Sequence, residues 1–294
     1  RSPVDFLAKP VEHLQKTRNI MPERQIDINL EDGVLAIRLN SPDTRNSLTT
    51  DIRDGLAEAS RRAVEDPDVR VVYLTGEGKA FCAGGDFSSI STHNDSWSTH
   101  NRFRQLMSWI LPLVRLQKPV ITGLNGAAVG GGMGLALSGD VILAAESARL
   151  MAGFMRLGAV PDYGMMYHLP RLVGLNRAKN FIFSNGIWSA QEAYDLGIVA
   201  EILPDDGFQD AAYVKALTLA NGPIEAMGLA KWLMGRSFET SFEDMMAFES
   251  LAQPLAFRTE AHQEGFGALV NKGTPDFPAA SKRDSFYKFS KGET

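Results

Sequence analysis

The sequence has one cysteine, Cys82, in 294 residues, so no disulfide can form within the chain. Its five histidines show neither the H-E-x-x-H spacing nor a Cys/His ligand set, and a metal site has no support. Long apolar runs are also missing. The most apolar region, residues 120 to 145, is broken by Asn125, a glycine run and Asp140 before it reaches the roughly 18 residues a membrane span needs. A membrane is therefore not an expected partner. No basic block occurs, and 30 Lys+Arg against 35 Asp+Glu leave a formal charge of -5, which argues against a nucleic-acid partner. With no basic, apolar and small-residue leader, the chain is expected in a reducing cytoplasm.

What is present suffices for a packed core, at 44% hydrophobic residues. Residues 1 to 25 mix prolines with charges and read as an N-terminal extension. From Ile26 the segments "IDINLED" and "VLAIRLN" alternate apolar and polar around Gly33, which predicts a hairpin. A helix follows over "SLTTDIRDGLAEASRRAVED", then the β-branched run "VRVVYLTG". A polar segment over 88 to 101 precedes the helical spacing of "FRQLMSWILPLVRL", and "KPVITGLNG" and "VILAAES" read as further buried strands. Short strands alternating with helices predict an α/β core with parallel crossovers over 26–205. Residues 206–294 read as a helical C-terminal region.

Two glycine segments follow strands, "AFCAGGD" (80 to 86) and "NGAAVGGGMGLA" (125 to 136). Glycines let another group approach the main chain, and the second segment opens a helix whose N-terminus favours negative charge. Together they could form an anion site, although either alone could equally be a tight turn. Neither matches a Walker loop or, in context, a dinucleotide fingerprint.

"LNSPDTRNSL", "GEGKAFCAGGDF", "KPVITGLNGAAVGGGMGLALSGDVILAAESARL", "GAVPDYG" and "LPRLVG", in this order, resemble the crotonase superfamily, the enoyl-CoA hydratase/isomerase family. The resemblance implies stacked ββα turns followed by a helical trimerisation region, a homotrimer or hexamer, and an acyl-CoA substrate. Coenzyme A would enter as part of that substrate, with no other cofactor. The resemblance also implies an oxyanion hole of two backbone N–H groups, which by position are those of Gly85 and Gly131. Such donors each lower a barrier by about 3–4 kcal/mol where charge develops in the transition state. Arg45, Ser47 and Ala83 fall where the family contacts the coenzyme, mostly through main chain.

The family's hydratases use two glutamates, at positions that here hold Gly134 and Phe154. Neither can move a proton. Eight residues beyond Phe154 stands Asp162, where several branches of the superfamily carry a catalytic aspartate, and the motif is most similar to the phenylacetate-pathway type isomerases with a single acid. One carboxylate suffices for a 1,3 proton shift, because it can take a proton from one carbon and return it two carbons away. An apolar setting of Phe154, Met165 and Met166 would raise its pKa and shape an acyl pocket. An aspartate beside Pro161 is also ordinary turn chemistry.

His93 and His100 lie in the polar segment that covers the acyl chain in this family, and either could donate a hydrogen bond there. His168 reads as structural, Cys82 as buried, and Asp86 and Asp140 as turn or cap residues. Three functions are open at this point. The first is an acyl-CoA isomerase acting through Asp162. The second is a hydratase, a β-keto acyl-CoA hydrolase or a C–C lyase on the same scaffold. The third is a non-catalytic acyl-CoA or RNA-associated binding protein.

Overall fold

The computed structural model describes residues 24–86 and 95–292, so the expected extension up to residue 23 and His93 lie outside the described residues. Ile26–Glu31 (β1) and Val34–Leu39 (β2) form the antiparallel hairpin that the alternation predicts, with Ile26 opposite Leu39 and Glu31 opposite Val34. Its turn residues Asp32 and Gly33 both have positive φ, 48° and 80°, as a two-residue loop between right-twisted strands requires.

From β2 onward the chain advances in units that give one strand to each of two sheets. Val71–Gly76 (β3), Val120–Leu124 (β5), Val141–Ala145 (β7) and Glu201–Leu203 (β10) join the hairpin in a six-stranded sheet ordered β1-β2-β3-β5-β7-β10. After a short turn, β3, β5 and β7 are followed by Ala80–Cys82 (β4), Ala127–Val129 (β6) and Arg149–Met151 (β8). These three, with Ile187–Ser189 (β9), make a second sheet ordered β4-β6-β8-β9. All pairings are parallel except β1 with β2 and β8 with β9. β3 and β5 are buried at every residue, which is why they read as continuous apolar runs.

Helices complete the units. Thr50–Glu65 (α1) starts at Thr49, whose hydroxyl accepts the Ile52 N–H, and buries Ile52, Leu56, Ala59 and Ala63 at helical spacing. Ser96–Val114 (α2) begins earlier than the expected polar segment over 88 to 101 allows. Asp95 accepts the Ser98 N–H at 2.8 Å, and this cap starts the helix inside the polar segment. Gly131–Ala136 (α3) is fully buried. Met165–Val173 (α4), Leu175–Phe183 (α5) and Ala190–Asp195 (α6) cover the later strands.

Phe208–Ala220 (α7) packs on the six-stranded sheet, where the Tyr73 hydroxyl donates to Gln209 Oε1 (3.1 Å) and Gln209 Nε2 donates to the Gly76 carbonyl (3.0 Å). Ile224–Met234 (α8), Phe242–Phe257 (α9), Glu260–Val270 (α10), Phe277–Arg283 (α11) and Ser285–Ser290 (α12) finish the described chain. Among the described residues no helix is long and apolar enough to cross a membrane.

Candidate active site

The site begins at a loop held by one buried amide. Arg45 and Asn46 both adopt left-handed backbone, φ 55° and 56°, and Asn46 is fully buried. Its Oδ1 accepts the Ser41 N–H at 2.8 Å, while Nδ2 donates to the carbonyls of Glu77 (3.0 Å) and Ala80 (2.8 Å). Asparagine tolerates this backbone conformation, and its amide satisfies three main-chain groups at once. The loop is thereby stapled to the start of β4. Beyond it the Ala83 N–H donates to the Arg45 carbonyl (2.9 Å) and the Leu48 N–H to the Gly84 carbonyl (2.8 Å), which lays residues 83–85 in place.

β4 and β6 are parallel neighbours, so their glycine-rich exits lie side by side. A Cβ on Gly84 would stand 2.5 Å from the Val129 carbonyl and 3.4 Å from the Gly131 nitrogen. Only a residue without a side chain permits that approach. Neither the Gly85 nor the Gly131 N–H donates to a main-chain acceptor among the described residues. Gly85 and Gly131 follow these adjacent strands and both stand on the wall of one cavity.

Asp162 comes from the next unit. After β8 the chain makes a single turn over Met155–Leu157 and reaches Pro161, and then Tyr163 (φ 52°) and Gly164 (φ 75°) reverse it into α4. Asp162 Oδ1 is buried and has no hydrogen-bond partner among the described residues, and it lies 3.2 Å from where a Cβ on Gly131 would be. Burial pushes this carboxyl up to about 6, against the pull of its own backbone N–H and of the Arg102 charge.

A cavity of about 840 Å³ opens here, and Gly85, Gly131, Asp162, Ala83 and Phe154 all stand on its wall. Phe154 faces Gly130, its ring atoms 3.7 Å from that residue's notional Cβ. Arg45 and Ser47 do not line the cavity and meet it only through the main chain that carries Ala83 and Leu48. Met165 and Met166, expected to shape an acyl pocket, are elsewhere: Met165 is fully buried in the core and Met166 is exposed. The left-handed pair at 163 and 164 turns the chain into α4 at once, which carries both methionines off the wall. His100 is not in a loop. It sits on α2, exposed and stacked on Trp97 (ring centroids 5.4 Å apart), and is not part of the cavity.

The residues that sequence reasoning missed are on the helices facing the glycines. Arg53 and Asp54 of α1 line the cavity, as do Thr99, Arg102, Phe103, Leu106 and Trp109 of α2. Arg53 is held by the Leu48 carbonyl (2.6 Å) and the Thr50 hydroxyl (3.0 Å). The i, i+3, i+4 spacing of Thr99, Arg102, Phe103 and Leu106 is a one-face signal that was available in the sequence.

Other candidates have structural partners. Asp140 accepts the Val120 N–H and pairs with Lys231, both at 2.7 Å, so it ties β5 to α8. Burial pushes the Cys82 thiol up to about 12, which leaves it without the thiolate a nucleophile needs. His168 borders a smaller cavity of about 210 Å³ with Arg171, and burial lowers its pKa. Among the described residues no three His, Cys, Asp or Glu side chains are grouped to share a metal ion.

Comparison with known proteins places this geometry in context. The family model described as enoyl-CoA hydratase/isomerase matches residues 29–280. The chain is 32% identical to the 1,2-epoxyphenylacetyl-CoA isomerase of Escherichia coli, over 85% of this chain and 96% of that protein. It is also 32% identical to a probable enoyl-CoA hydratase of Rhodobacter capsulatus, over 87% and 99%. Among solved structures, an enoyl-CoA hydratase/isomerase from Cupriavidus metallidurans superposes with a TM-score of 0.82 at 31% identity, covering 87% of this chain and 97% of that one.

Proposed function

This chain belongs to the enoyl-CoA hydratase/isomerase family, and from that premise we propose that it shifts the C=C bond of an acyl-CoA thioester by proton transfer through one carboxylate, Asp162. The observation that carries the reading is the unpartnered, buried Oδ1 of Asp162 beside Gly131 on the cavity wall. A carboxylate that spends none of its hydrogen-bonding capacity on the protein at that atom, and whose pKa is pushed up to about 6, is a competent base toward carbon.

In this reading the thioester carbonyl accepts the N–H groups of Gly85 and Gly131. Asp162 removes a proton next to the bond that moves, the enolate rests on the two amides, and the resulting acid returns the proton two carbons away. Each amide contributes about 3–4 kcal/mol if aimed at the developing oxyanion. Coenzyme A arrives with the substrate, and the reading needs no other cofactor. Ala83, on the cavity wall, would contact the coenzyme through its main chain, while Arg45 and Ser47 would do so only from outside the cavity lining.

A hydratase is the second reading, favoured by two further carboxylates on the same wall, Asp54 and Asp86, either of which could direct a water. A hydrolase or lyase would share that step. Incubating 3-enoyl-CoA and 2-enoyl-CoA with the enzyme in deuterated and in ¹⁸O water separates the readings. Isomerisation incorporates deuterium and no heavy oxygen, and it is lost in Asp162→Asn. Heavy oxygen in the product would replace the first reading by the second, and thioester binding without turnover, unchanged in Asp162→Asn, would indicate a binding protein. We also infer a homotrimer or hexamer, supported by the apolar side chains that α8 to α10 leave exposed, among them Met234, Phe242, Leu251, Leu255 and Leu269.

A further inference from the structure

A glycine stands at 134 where the family's hydratases hold a glutamate, and the space beyond it is filled. A Cβ on Gly134 would lie 2.6 Å from the Tyr163 Cβ and 2.7 Å from the Asp162 carbonyl, and neither neighbour is the far end of a flexible side chain. The same tyrosine reaches Gly131, where a Cβ would meet its ring carbons at 3.1 and 3.2 Å. The ring also stands near Trp109 of α2, with centroids 6.1 Å apart and planes tilted by 59°. Tyr163 is buried at 8% exposure and holds φ at 52°, a left-handed conformation that a bulky residue keeps only where its surroundings over-determine it. Its neighbour Asp162 carries the buried, unpartnered oxygen.

We propose that Tyr163 is a positioning residue whose ring, wedged between the glycines of α3 and Trp109, holds the Asp162 carboxylate against Gly131 and shields it from water, and that Gly134 must lack a side chain for this wedge to seat. It follows that the site is committed to a single acid at this end, because the backbone of residues 162–163 occupies the room that a carboxylate-bearing side chain at 134 would need. The proposal rests on the reading of Asp162 as the reacting carboxylate and names what sets its geometry. Burial raises the Tyr163 phenol well above its ordinary pKa, so the group stays neutral and acts by shape. The charged groups around the same cavity are Arg53 and Asp54 from α1, Asp86 after β4 and Arg102 from α2. None of them is altered in the test.

The test compares Tyr163→Asn, Tyr163→Phe and Gly134→Ala with the wild type. Asparagine accepts the left-handed backbone, so Tyr163→Asn removes the ring without adding strain there. Displacing a catalytic group by about 1 Å can cost about 100-fold in rate, so kcat for exchange should fall by about tenfold or more while KM stays within about threefold. The carboxyl resonance of Asp162, followed by ¹³C NMR in labelled protein, should titrate nearer the ordinary carboxylate range. Tyr163→Phe, which keeps the ring, should restore both readouts, and Gly134→Ala should behave like Tyr163→Asn. The proposal is overturned if Tyr163→Asn leaves kcat and the carboxyl midpoint where they were, or if Tyr163→Phe falls as far as Tyr163→Asn. Should Gly134→Ala fail to fold, the two tyrosine variants still decide. A wild type that exchanges nothing would refute the proposed activity, whereas the NMR midpoints would still support or overturn the wedge.

Discussion

Replacing Asp162 by asparagine should make the protein more stable at neutral pH, the opposite of what losing a paired carboxylate does. Burial lifts this carboxyl from 3.8 to about 6 in the fold, and its Oδ1 receives no hydrogen bond in return. An acid whose folded pKa lies above its unfolded value binds more protons in the folded state, so stability falls as pH rises from about 4 to about 6 and is level beyond. Two units at 1.36 kcal/mol each set a ceiling of about 3 kcal/mol on that penalty. Water entering the open cavity reduces it, and about 1–3 kcal/mol is the expected gain for Asp162→Asn at pH 8.

Urea unfolding of both proteins at pH 4.5, 5.5 and 8, at one fixed protein concentration, reads this directly. The variant should be ahead by that amount at pH 8, and the gap should close toward pH 4.5 as the wild-type carboxyl takes up its proton. In thermal unfolding the gap at pH 8 corresponds to several degrees, at about 2–4 °C per kcal/mol for a domain of this size. A variant less stable than wild type at pH 8, or a gap independent of pH, would refute the account of Asp162 as a desolvated acid with an unpartnered Oδ1.

The same carboxyl should govern the rate, so kcat/KM for exchange should rise with an apparent pKa near 6 and flatten above it, and a profile flat down to pH 5 would sink that assignment. Asn46→Ala removes three hydrogen bonds to main chain, although the Ala80 carbonyl keeps one from Asn125 Nδ2 (3.2 Å), and a loss of about 1–3 kcal/mol with a weakened thioester affinity is expected from unfolding and binding titrations. Leu251→Glu together with Leu255→Glu should convert the proposed trimer or hexamer to smaller species in sedimentation velocity, with the fold kept by circular dichroism; an unchanged sedimentation coefficient would show that α9 carries no subunit contact.

The hairpin of β1 and β2 and the buried strands β3, β5 and β7 were legible because period-two alternation and β-branched runs have no other use at that length. The strands of the smaller sheet were not. β4, β6, β8 and β9 are each three residues long, too short for a period, and β6 lies within a glycine-rich stretch whose composition reads as turn. Asp162, Gly85 and Gly131 were found through motifs, and the structure brings all three to one cavity. The error over Met165 and Met166 came from treating neighbours in sequence as neighbours in the site, when two left-handed residues intervene. Arg53, Arg102 and Trp109 carry no motif at all and reach the cavity by helix packing, which sequence spacing suggests only once the facing element is known.

The alternation of strands between two sheets has a further consequence. Because β4 and β6 are adjacent rungs, about 4.8 Å apart, the two amides that would grip a carbonyl are spaced by main-chain geometry, with no side chain choosing the distance. Asp162 comes from the following rung, beyond β8, on a loop whose residues 162 and 163 pack directly against Gly131 and Gly134. In the proposed reading, such a frame places thioester recognition on one pair of strands and the reacting carboxylate on the next unit. The first part then depends on strand pairing and the second on how residues 162 and 163 seat against the glycines.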